Sequence, residues 1–445
     1  MARSKTFRAA LSAAAFGFWT VGLHAEVSED VIQSSFFPYK AGAPKVDGIA
    51  PGTVLDKSNV DSAKALLAPT LYEVVKRGEY AIEVQETTDF IANPKFIEAT
   101  RKNSDKVSIG SDETLSGFVS GRPFPQQPDI NDSRAGLKLA WNFEYGRVWG
   151  DLGCVEPWYW NYRNYDTGSI DKTIVWDKFC LMRYIGRAVD APAPEINPNP
   201  SQLYRGIYGR ISEPIDIKNT QLLIQKFKDD HKLVDGYLYL GFQRRVRRLA
   251  TGQTTDAFLG SDIMLEDFEG YEGKITDMVW TYKGSRPMLL PLYDRSKARS
   301  LGKQYKYKEA DGNEYEYTST TGQGGCYPDV PWQLRKAYVI EHKPKDPTHP
   351  IGRRVYYMDA QTNEMGVIEI YDRKGALWKL FFIGWAMNDR GVHPINRGKG
   401  VDLGDIATII DLQSRHCTTL QFRGRVDATV AKETLFSVQN LRGGD

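Results

Sequence analysis

The most regular pattern of apolar and polar positions lies between residues 351 and 387, where three apolar runs are separated by two polar turns. The runs cover residues 354–358, 365–371 and 377–385, and the turns between them contain Asp, Asn and Gly, which favour tight reversals of the chain. This order predicts three consecutive antiparallel strands.

The third run of this meander is apolar on both of its faces. Successive side chains of a strand point to opposite sides, so Trp378 and Phe382 share one face while Phe381 and Trp385 share the other. We therefore expect this strand to be covered on both sides, by a core on one side and by a cavity or a second layer on the other.

Helical spacing of apolar residues predicts a helix over residues 60–76, interrupted near Pro69, and another over residues 132–146. From Trp158 onward most apolar runs show the alternation of strands. Two of these runs, in the stretch 276–293, are expected to form a hairpin.

About eleven or twelve strands in one series, with most helices before them, predict a mainly β (α+β) fold. We expect a large curved antiparallel sheet, or incomplete β-barrel, with helices covering its concave side. Residues 262–270 are expected to form a short helix, residues 403–423 one further element, and the polar stretch 296–331 a long insertion.

The first 25 residues have the pattern of a secretory signal, with three basic residues, an apolar run and Ala25 before the expected cleavage. Removing them takes the net charge from +2 to about −1, which argues against a nucleic-acid partner. We expect residues 26–445 to form a single domain in the periplasm of a Gram-negative bacterium.

Four cysteines fit an exported chain, since an oxidising compartment permits disulfides. Cys154 and Cys180 flank a predicted hairpin, so we expect these two to be bonded, and by default Cys326 with Cys417. The alternative is that some of them are buried free thiols.

Five stretches carry a family resemblance in their order along the chain: residues 120–125 (SGRPFP), 239–248 (YLGFQRRVRR), 261–262 with 267–268 and Gly270, 353–359 (RRVYYMD), and 371–372 with 375–378 (GALW). Together they resemble a bacterial family of exported proteins of unknown function that is described as outer-membrane lipoprotein-sorting-like. The resemblance covers nearly the whole chain after the signal.

The resemblance implies a fold similar to the LolA and LolB lipoprotein carriers, an incomplete antiparallel β-barrel with helices across its mouth. It also implies two partners, an inner-membrane exporter of the resistance-nodulation-division type and an outer-membrane β-barrel protein. The Cys-bearing hairpin at residues 154–180 and the insertion at 296–331 depart from the family pattern.

The residue pattern contains no catalytic, metal or cofactor motif. None of the six histidines pair at metal-ligand spacing, and the chain lacks a nucleophile elbow and a phosphate-binding loop. We therefore expect no enzymatic activity, no metal and no cofactor.

Two groups of residues are candidates for binding. Arg245 and Arg247 share one face of a predicted strand and could contact an anionic head group or a partner protein, although a solvated strand is the alternative. Large aromatic residues could line an apolar ligand cavity, although a filled core is the alternative. The cavity residues are expected among Trp141, Phe143, Trp158, Trp160, Trp280, Trp378, Phe382 and Trp385.

Three functions fit these observations. The first is a soluble periplasmic carrier or chaperone that shields a lipid or another hydrophobic molecule between an inner-membrane exporter and the outer membrane. The second is an outer-membrane β-barrel protein, but strands that are apolar on both faces do not fit the apolar-out, polar-in alternation of such barrels. The third is an exported enzyme acting on a glycan or lipid.

Overall fold

A computed structural model describes residues 26–249, 254–299, 306–308, 314–386 and 394–442. The predicted signal segment lies outside the described residues. The α-helices are α1 Glu29–Phe36, α2 Pro69–Lys76, α3 Pro94–Asn103 and α4 Ala135–Glu144. No helix in the described part of the chain is long and apolar enough to cross a membrane.

The strands are numbered in chain order. They are β1 Val54–Leu55, β2 Ile82–Gln85, β3 Ser108–Ile109, β4 Leu115–Ser116, β5 Leu152–Asn164, β6 Ile170–Arg183, β7 Leu203–Glu213, β8 Gln221–Phe227, β9 Asp235–Leu240, β10 Arg245–Arg248, β11 Met278–Leu290, β12 Leu292–Tyr293, β13 Lys306–Lys308, β14 Glu314–Glu316, β15 Thr320–Thr321, β16 Tyr327–Pro328, β17 Trp332–Pro344, β18 Ile351–Asp359, β19 Met365–Asp372, β20 Leu377–Ala386, β21 Leu403–Asp411 and β22 His416–Val426.

Sixteen of these strands form one sheet, in the order β1-β2-β17-β18-β19-β20-β21-β22-β5-β6-β7-β8-β9-β10, with β11 beside β17 and β12 beside β20. Nearly all neighbours are antiparallel; β2 with β17 and β12 with β20 are parallel. Among the described strands, the two ends of the sheet do not pair with each other. The predicted mainly β fold is thus confirmed, with more strands than the pattern indicated.

The central meander agrees with its prediction, since β18, β19 and β20 are successive antiparallel neighbours. The predicted hairpin at residues 276–293 is wrong. Most of that stretch is one long strand, β11, whose register shifts once between Tyr282 and Gly284, and the short strand β12 after it pairs with β20 instead. Pro287 fits there because β11 is an edge strand, where a missing N–H donor is tolerated.

Residues 403–423 were expected to form one element, but they contribute to two strands, β21 and β22. The turn between them is built on Asp411, whose carboxylate accepts hydrogen bonds from the backbone N–H groups of Gln413 and Ser414 at 3.0 and 2.8 Å. Such an Asx turn needs no glycine or proline, and for this reason the reversal was missed.

Both predicted disulfides are formed. Cys154 and Cys180 are directly opposed on β5 and β6. Cys326, near the end of the insertion, is bonded to Cys417 on β22. Glu156 lies beside the first disulfide, but bonded sulfurs are not available as thiolate ligands for a metal.

The two faces of the sheet are covered by different parts of the chain. On one face α4 approaches β8, where Glu144 contacts Lys226 at 2.9 Å. On the other face α2 approaches β19, where the carboxylate of Glu369 accepts a hydrogen bond from the N–H of Thr70 at 2.8 Å. The two helices predicted at residues 60–76 and 132–146 therefore lie on opposite faces.

Candidate functional site

The face that α4 covers is the inner face of a curved sheet. Six neighbouring strands, β20-β21-β22-β5-β6-β7, contribute side chains to a single small cavity on this face. Strands lie about 4.8 Å apart, so six strands can reach one small cavity only if the sheet curves around it. We call this side the inner face.

An irregular stretch, residues 258–277, lies across the inner face, and we call it the crossing segment. The short helix predicted at residues 262–270 is wrong. The segment contains only short 3₁₀ turns, and Phe268 is extended with φ −54° and ψ 137°, while Glu269 is left-handed with φ 56°. Gly270 has φ 103° and lies over Ile368 and Ile383, where an added Cβ would stand about 3.3–3.4 Å from their methyl groups.

The crossing segment is anchored by buried ion pairs at two places. Arg354 of β18 contacts Glu266 at 2.9 Å and Asp267 at 2.7 Å. Arg205 of β7 contacts Glu269 at 3.3 Å and also pairs with Glu272. Both arginines project from the inner face and are almost completely buried.

Two lysines of the inner face contact the backbone of the same segment. The ammonium group of Lys379 donates a hydrogen bond to the carbonyl oxygen of Asp262 at 2.5 Å. The ammonium group of Lys226 donates to the carbonyl oxygen of Gly273 at 3.3 Å and to the carboxylate of Glu144. Four cations of the inner face thus meet the crossing segment.

The pKa values of the segment's carboxyl groups differ because their surroundings differ. Burial alone would raise the pKa of Glu266, but the charge of Arg354 and a hydrogen bond from His349 lower it to about 2. Burial raises the pKa of Glu269 to about 7, because Arg205 opposes the effect of burial only in part and Glu272 adds negative charge. The segment therefore carries one firmly ionised carboxylate and one that is readily protonated.

Between these anchors, Phe268 inserts into a group of aromatic rings. Its ring centroid lies 6.0 Å from that of Trp160, 6.3 Å from Trp158, 5.8 Å from Phe179 and 6.1 Å from Phe258. We call the rings of these four residues the aromatic box. Aromatic rings at such distances attract one another in addition to burying apolar surface.

The cavity beside Phe268 is apolar and small, at about 60 Å³. Most of its walls come from aromatic and branched side chains of the sheet, while the carboxylates at its edge, Asp267 and Glu269, belong to the crossing segment. Ligand pockets usually begin at about 300 Å³. In this conformation the cavity is therefore too small for a lipid chain, and the crossing segment forms part of its wall.

The structure places four of the eight predicted cavity residues on the inner face of the sheet. Trp158 and Trp385 line the cavity, and Trp160 belongs to the aromatic box. Trp280 also lies on the inner face, where its indole N–H donates to the carbonyl oxygen of Ile275 at 2.9 Å.

The other four predicted residues do not line this cavity. Trp141 and Phe143 lie on α4. Trp378 and Phe382 alternate onto the opposite face of β20, where the Trp378 indole N–H donates to Asp411 at 2.8 Å. Contact of any predicted residue with a ligand stays a prediction.

Arg245 and Arg247 lie on β10, at the far edge of the sheet from the central meander. Both side chains are exposed, and Arg247 donates a hydrogen bond to Gln243 at 2.9 Å. Their proposed role as an anion or partner contact also stays a prediction.

Sequence reasoning missed the crossing segment as part of the site. A signal was present, since five acidic residues fall within residues 262–272, a stretch that also carries family motif residues. Their partners Arg205 and Arg354 are dozens of residues away, and no local pattern links them.

Another buried acid, Glu364, lies close to the ion pair between Arg147 and Asp402, whose guanidinium and carboxylate groups are 2.8 Å apart. Within the described residues, neither carboxyl oxygen of Glu364 has a hydrogen-bond partner. Burial, followed by the charge of Asp402, raises the pKa of Glu364 well above its ordinary value. The side chain is therefore held as a neutral acid.

We expect Glu364→Gln to reduce the pH dependence of stability. A raised carboxyl pKa means that only the unfolded chain ionises as pH rises above about 4.5, so the wild-type free energy of unfolding should fall there by about 1.4 kcal/mol per pH unit from this group. Urea unfolding between pH 5 and 8 measures it. The exposed Glu73→Gln is the control, and equal pH slopes for Glu364→Gln and wild type would contradict the expectation.

The geometry defines a mainly β protein with an open, curved sheet and an inner face closed by an acidic segment. A sequence model of the family described as "Protein of unknown function (DUF1329)" matches residues 54–442. The chain belongs to this family, which confirms the resemblance in the sequence.

Among known proteins, an uncharacterized protein of Pseudomonas aeruginosa is 24% identical over 337 residues, which are 72% of this chain and 66% of that protein. The chain thus spans slightly less than two thirds of that relative.

Solved structures with a related shape include a domain from Vibrio parahaemolyticus whose name suggests outer membrane lipoprotein sorting (16% identity, 70% of this chain and 100% of that one, TM-score 0.45). A DUF1329 family protein from Desulfovibrio piger is 14% identical, with 69% of this chain and 98% of that one covered and a TM-score of 0.46. A LolA superfamily protein from Nitrosomonas europaea is 10% identical, with 65% of this chain and 91% of that one covered and a TM-score of 0.35. All three TM-scores are below 0.5, so these likenesses carry no conclusion about function.

Proposed function

We propose that the protein carries a lipid or another hydrophobic molecule on its inner face. The observation that supports this most is the way the inner face is covered. Aromatic residues of β5 and β6 are buried beneath an irregular segment rather than beneath a second sheet, and an apolar cavity remains between them.

Loading requires the crossing segment to move, because the present cavity is too small for a lipid chain. When Phe268 leaves the aromatic box, an apolar ligand can bury the same surface, at about 25 cal/mol per Å² removed from water. Release follows when an acceptor binds the ligand more tightly. This is a passive mechanism with no chemical step.

Binding fits the site better than catalysis does. The two carboxylates at the cavity, Asp267 and Glu269, each face an arginine at 2.7 and 3.3 Å. Paired in this way, they hold the segment in place and are not free to act together on a substrate bond.

The periplasm is the proposed location, supported by the predicted signal and by the two disulfides, which form in oxidising compartments. A carrier there would receive its load from an inner-membrane exporter and deliver it to an outer-membrane protein. The exposed strand β10, with Arg245 and Arg247, is the proposed contact for such a partner.

Titration with the neutral apolar dye N-phenyl-1-naphthylamine tests the proposal. We expect saturable binding with enhanced fluorescence, and tighter binding by Phe268→Ala because the ring no longer competes for the aromatic box. Phe242→Ala is the matched control, since Phe242 is an exposed phenylalanine outside the site. No binding by wild type or Phe268→Ala would contradict the proposal, as would loss of binding in Phe242→Ala.

A further inference from the structure

We propose that the tripeptide Asp267-Phe268-Glu269 occupies the place of the ligand, and that the ligand is an anionic amphiphile. Its apolar chain would fill the aromatic box, and its carboxylate or phosphate would bind Arg354. This inference rests on the proposed carrier function and specifies the chemical class of the load.

The acids next to Phe268 in the sequence both contact buried arginines. Asp267, which precedes Phe268, meets Arg354 at 2.7 Å, and Glu269, which follows it, meets Arg205 at 3.3 Å. An apolar group flanked by carboxyl groups that contact buried arginines has the same chemistry as an amphiphile with an acidic head.

Removing the segment would leave one buried cation without a counter-charge. Arg354 is fully buried, and its partners Glu266 and Asp267 both belong to the segment, whereas Arg205 keeps Glu144 of α4 at 3.9 Å. A buried cation without a counter-charge is strongly unfavourable, so a neutral ligand should displace the segment less readily than an anionic one. An anionic ligand replaces the lost carboxylates while its chain replaces Phe268.

Several buried N–H donors on the inner face have no acceptor within the described residues. Within the part of the chain that the structure describes, the Nε atoms of Arg205 and Arg354 are buried and have no hydrogen-bond acceptor. The indole N–H groups of Trp158, Trp160 and Trp176 are likewise buried without an acceptor. A head group rich in oxygen atoms could accept from these arginines, because guanidinium groups bind carboxylates and phosphates through several N–H donors at once.

The backbone of the segment is also strained at Glu269, whose φ of 56° is a left-handed conformation that is unfavourable for a non-glycine residue. That strain is relieved when the segment leaves the inner face, so it reduces the free energy that a ligand must supply to displace the segment.

The test compares three twelve-carbon probes, laurate, dodecyl phosphate and dodecanol, by isothermal titration calorimetry. We expect at least one of the two anions to bind the wild-type chain about tenfold or more tightly than dodecanol, and the comparison of laurate with dodecyl phosphate shows which head group is preferred. The preference should fall below about twofold in the triple variant Glu266→Gln/Asp267→Asn/Arg354→Met, which removes the arginine together with its partners.

Arg335→Met/Asp359→Asn is the matched control. This double variant removes an equally buried ion pair, 2.6 Å in length, whose residues are not among those that anchor the crossing segment. The double variant should keep the preference for anions. Hydrogen exchange supplies a readout that needs no variant. Amides of residues 262–272 should lose protection when laurate binds, and increased protection there would overturn the displacement.

The outcomes separate this inference from the function on which it rests. If dodecanol binds wild type as tightly as both anions, or if the triple variant keeps the preference for anions, the anionic class or the role of Arg354 is wrong, while the carrier function stands. If no probe binds wild type or Phe268→Ala, the carrier function itself is wrong.

Discussion

Replacing Arg354 by methionine is expected to lower the free energy of unfolding by about 3–5 kcal/mol, since the change leaves buried carboxylates without their counter-charge. Arg354 is fully buried and contacts both Glu266 and Asp267. Urea unfolding followed by circular dichroism measures the effect. The pKa of Glu266 should also rise from its low value when the arginine is absent.

Two controls distinguish the buried network from a general effect of losing an arginine. Arg248→Met removes an ion pair between Arg248 of β10 and Asp235 of β9, in which the arginine side chain is 67% exposed, so it should cost less than about 1 kcal/mol. Adding Glu266→Gln and Asp267→Asn to Arg354→Met should restore most of the lost stability. A loss below about 1 kcal/mol for Arg354→Met alone would contradict the anchoring role.

Replacing Trp158 by glutamate is expected to abolish binding of the neutral dye, because it places a charge in the wall of an apolar cavity where no partner is available. Trp158 is 6% exposed, and its ring contacts those of Phe179 and Phe422. Trp158→Phe should retain binding, since it keeps an aromatic surface at the same position.

Trp378→Glu is the matched control for this prediction. From the sequence alone, a charge at Trp378 would be expected to abolish loading, but alternation along β20 places this residue on the face opposite the cavity. Dye binding by Trp378→Glu should therefore persist. Loss of binding in both variants, or in neither while both remain folded, would contradict the assignment of the cavity to the inner face.

Much of the fold followed from short-range patterns. Polar turns between alternating runs defined the β18–β19–β20 meander, and Pro69 marked the boundary between a 3₁₀ helix over residues 60–66 and α2. The third strand of the meander, which is apolar on both faces, also indicated correctly that both sides of the sheet are covered. These features depend on neighbours in sequence, so they can be read from one chain.

The site itself was only partly predictable. Alternation shows that Phe382 and Trp385 point to opposite faces, but it does not say which face encloses a cavity. The decisive contacts are long-range, since Glu266 meets Arg354 and Glu269 meets Arg205 across the sheet. Pairing of this kind depends on the tertiary fold, and neither spacing nor propensity encodes it.

Native mass spectrometry of the detergent-free protein, after incubation with total lipid from a Gram-negative cell envelope, tests the carrier function most directly. We expect a one-to-one adduct of defined mass on wild type, more of it on Phe268→Ala and none on Trp158→Glu. Organic extraction should release the bound molecule for identification. If the spectra of wild type and of Phe268→Ala both show only the mass of the chain, that result would contradict a carrier function.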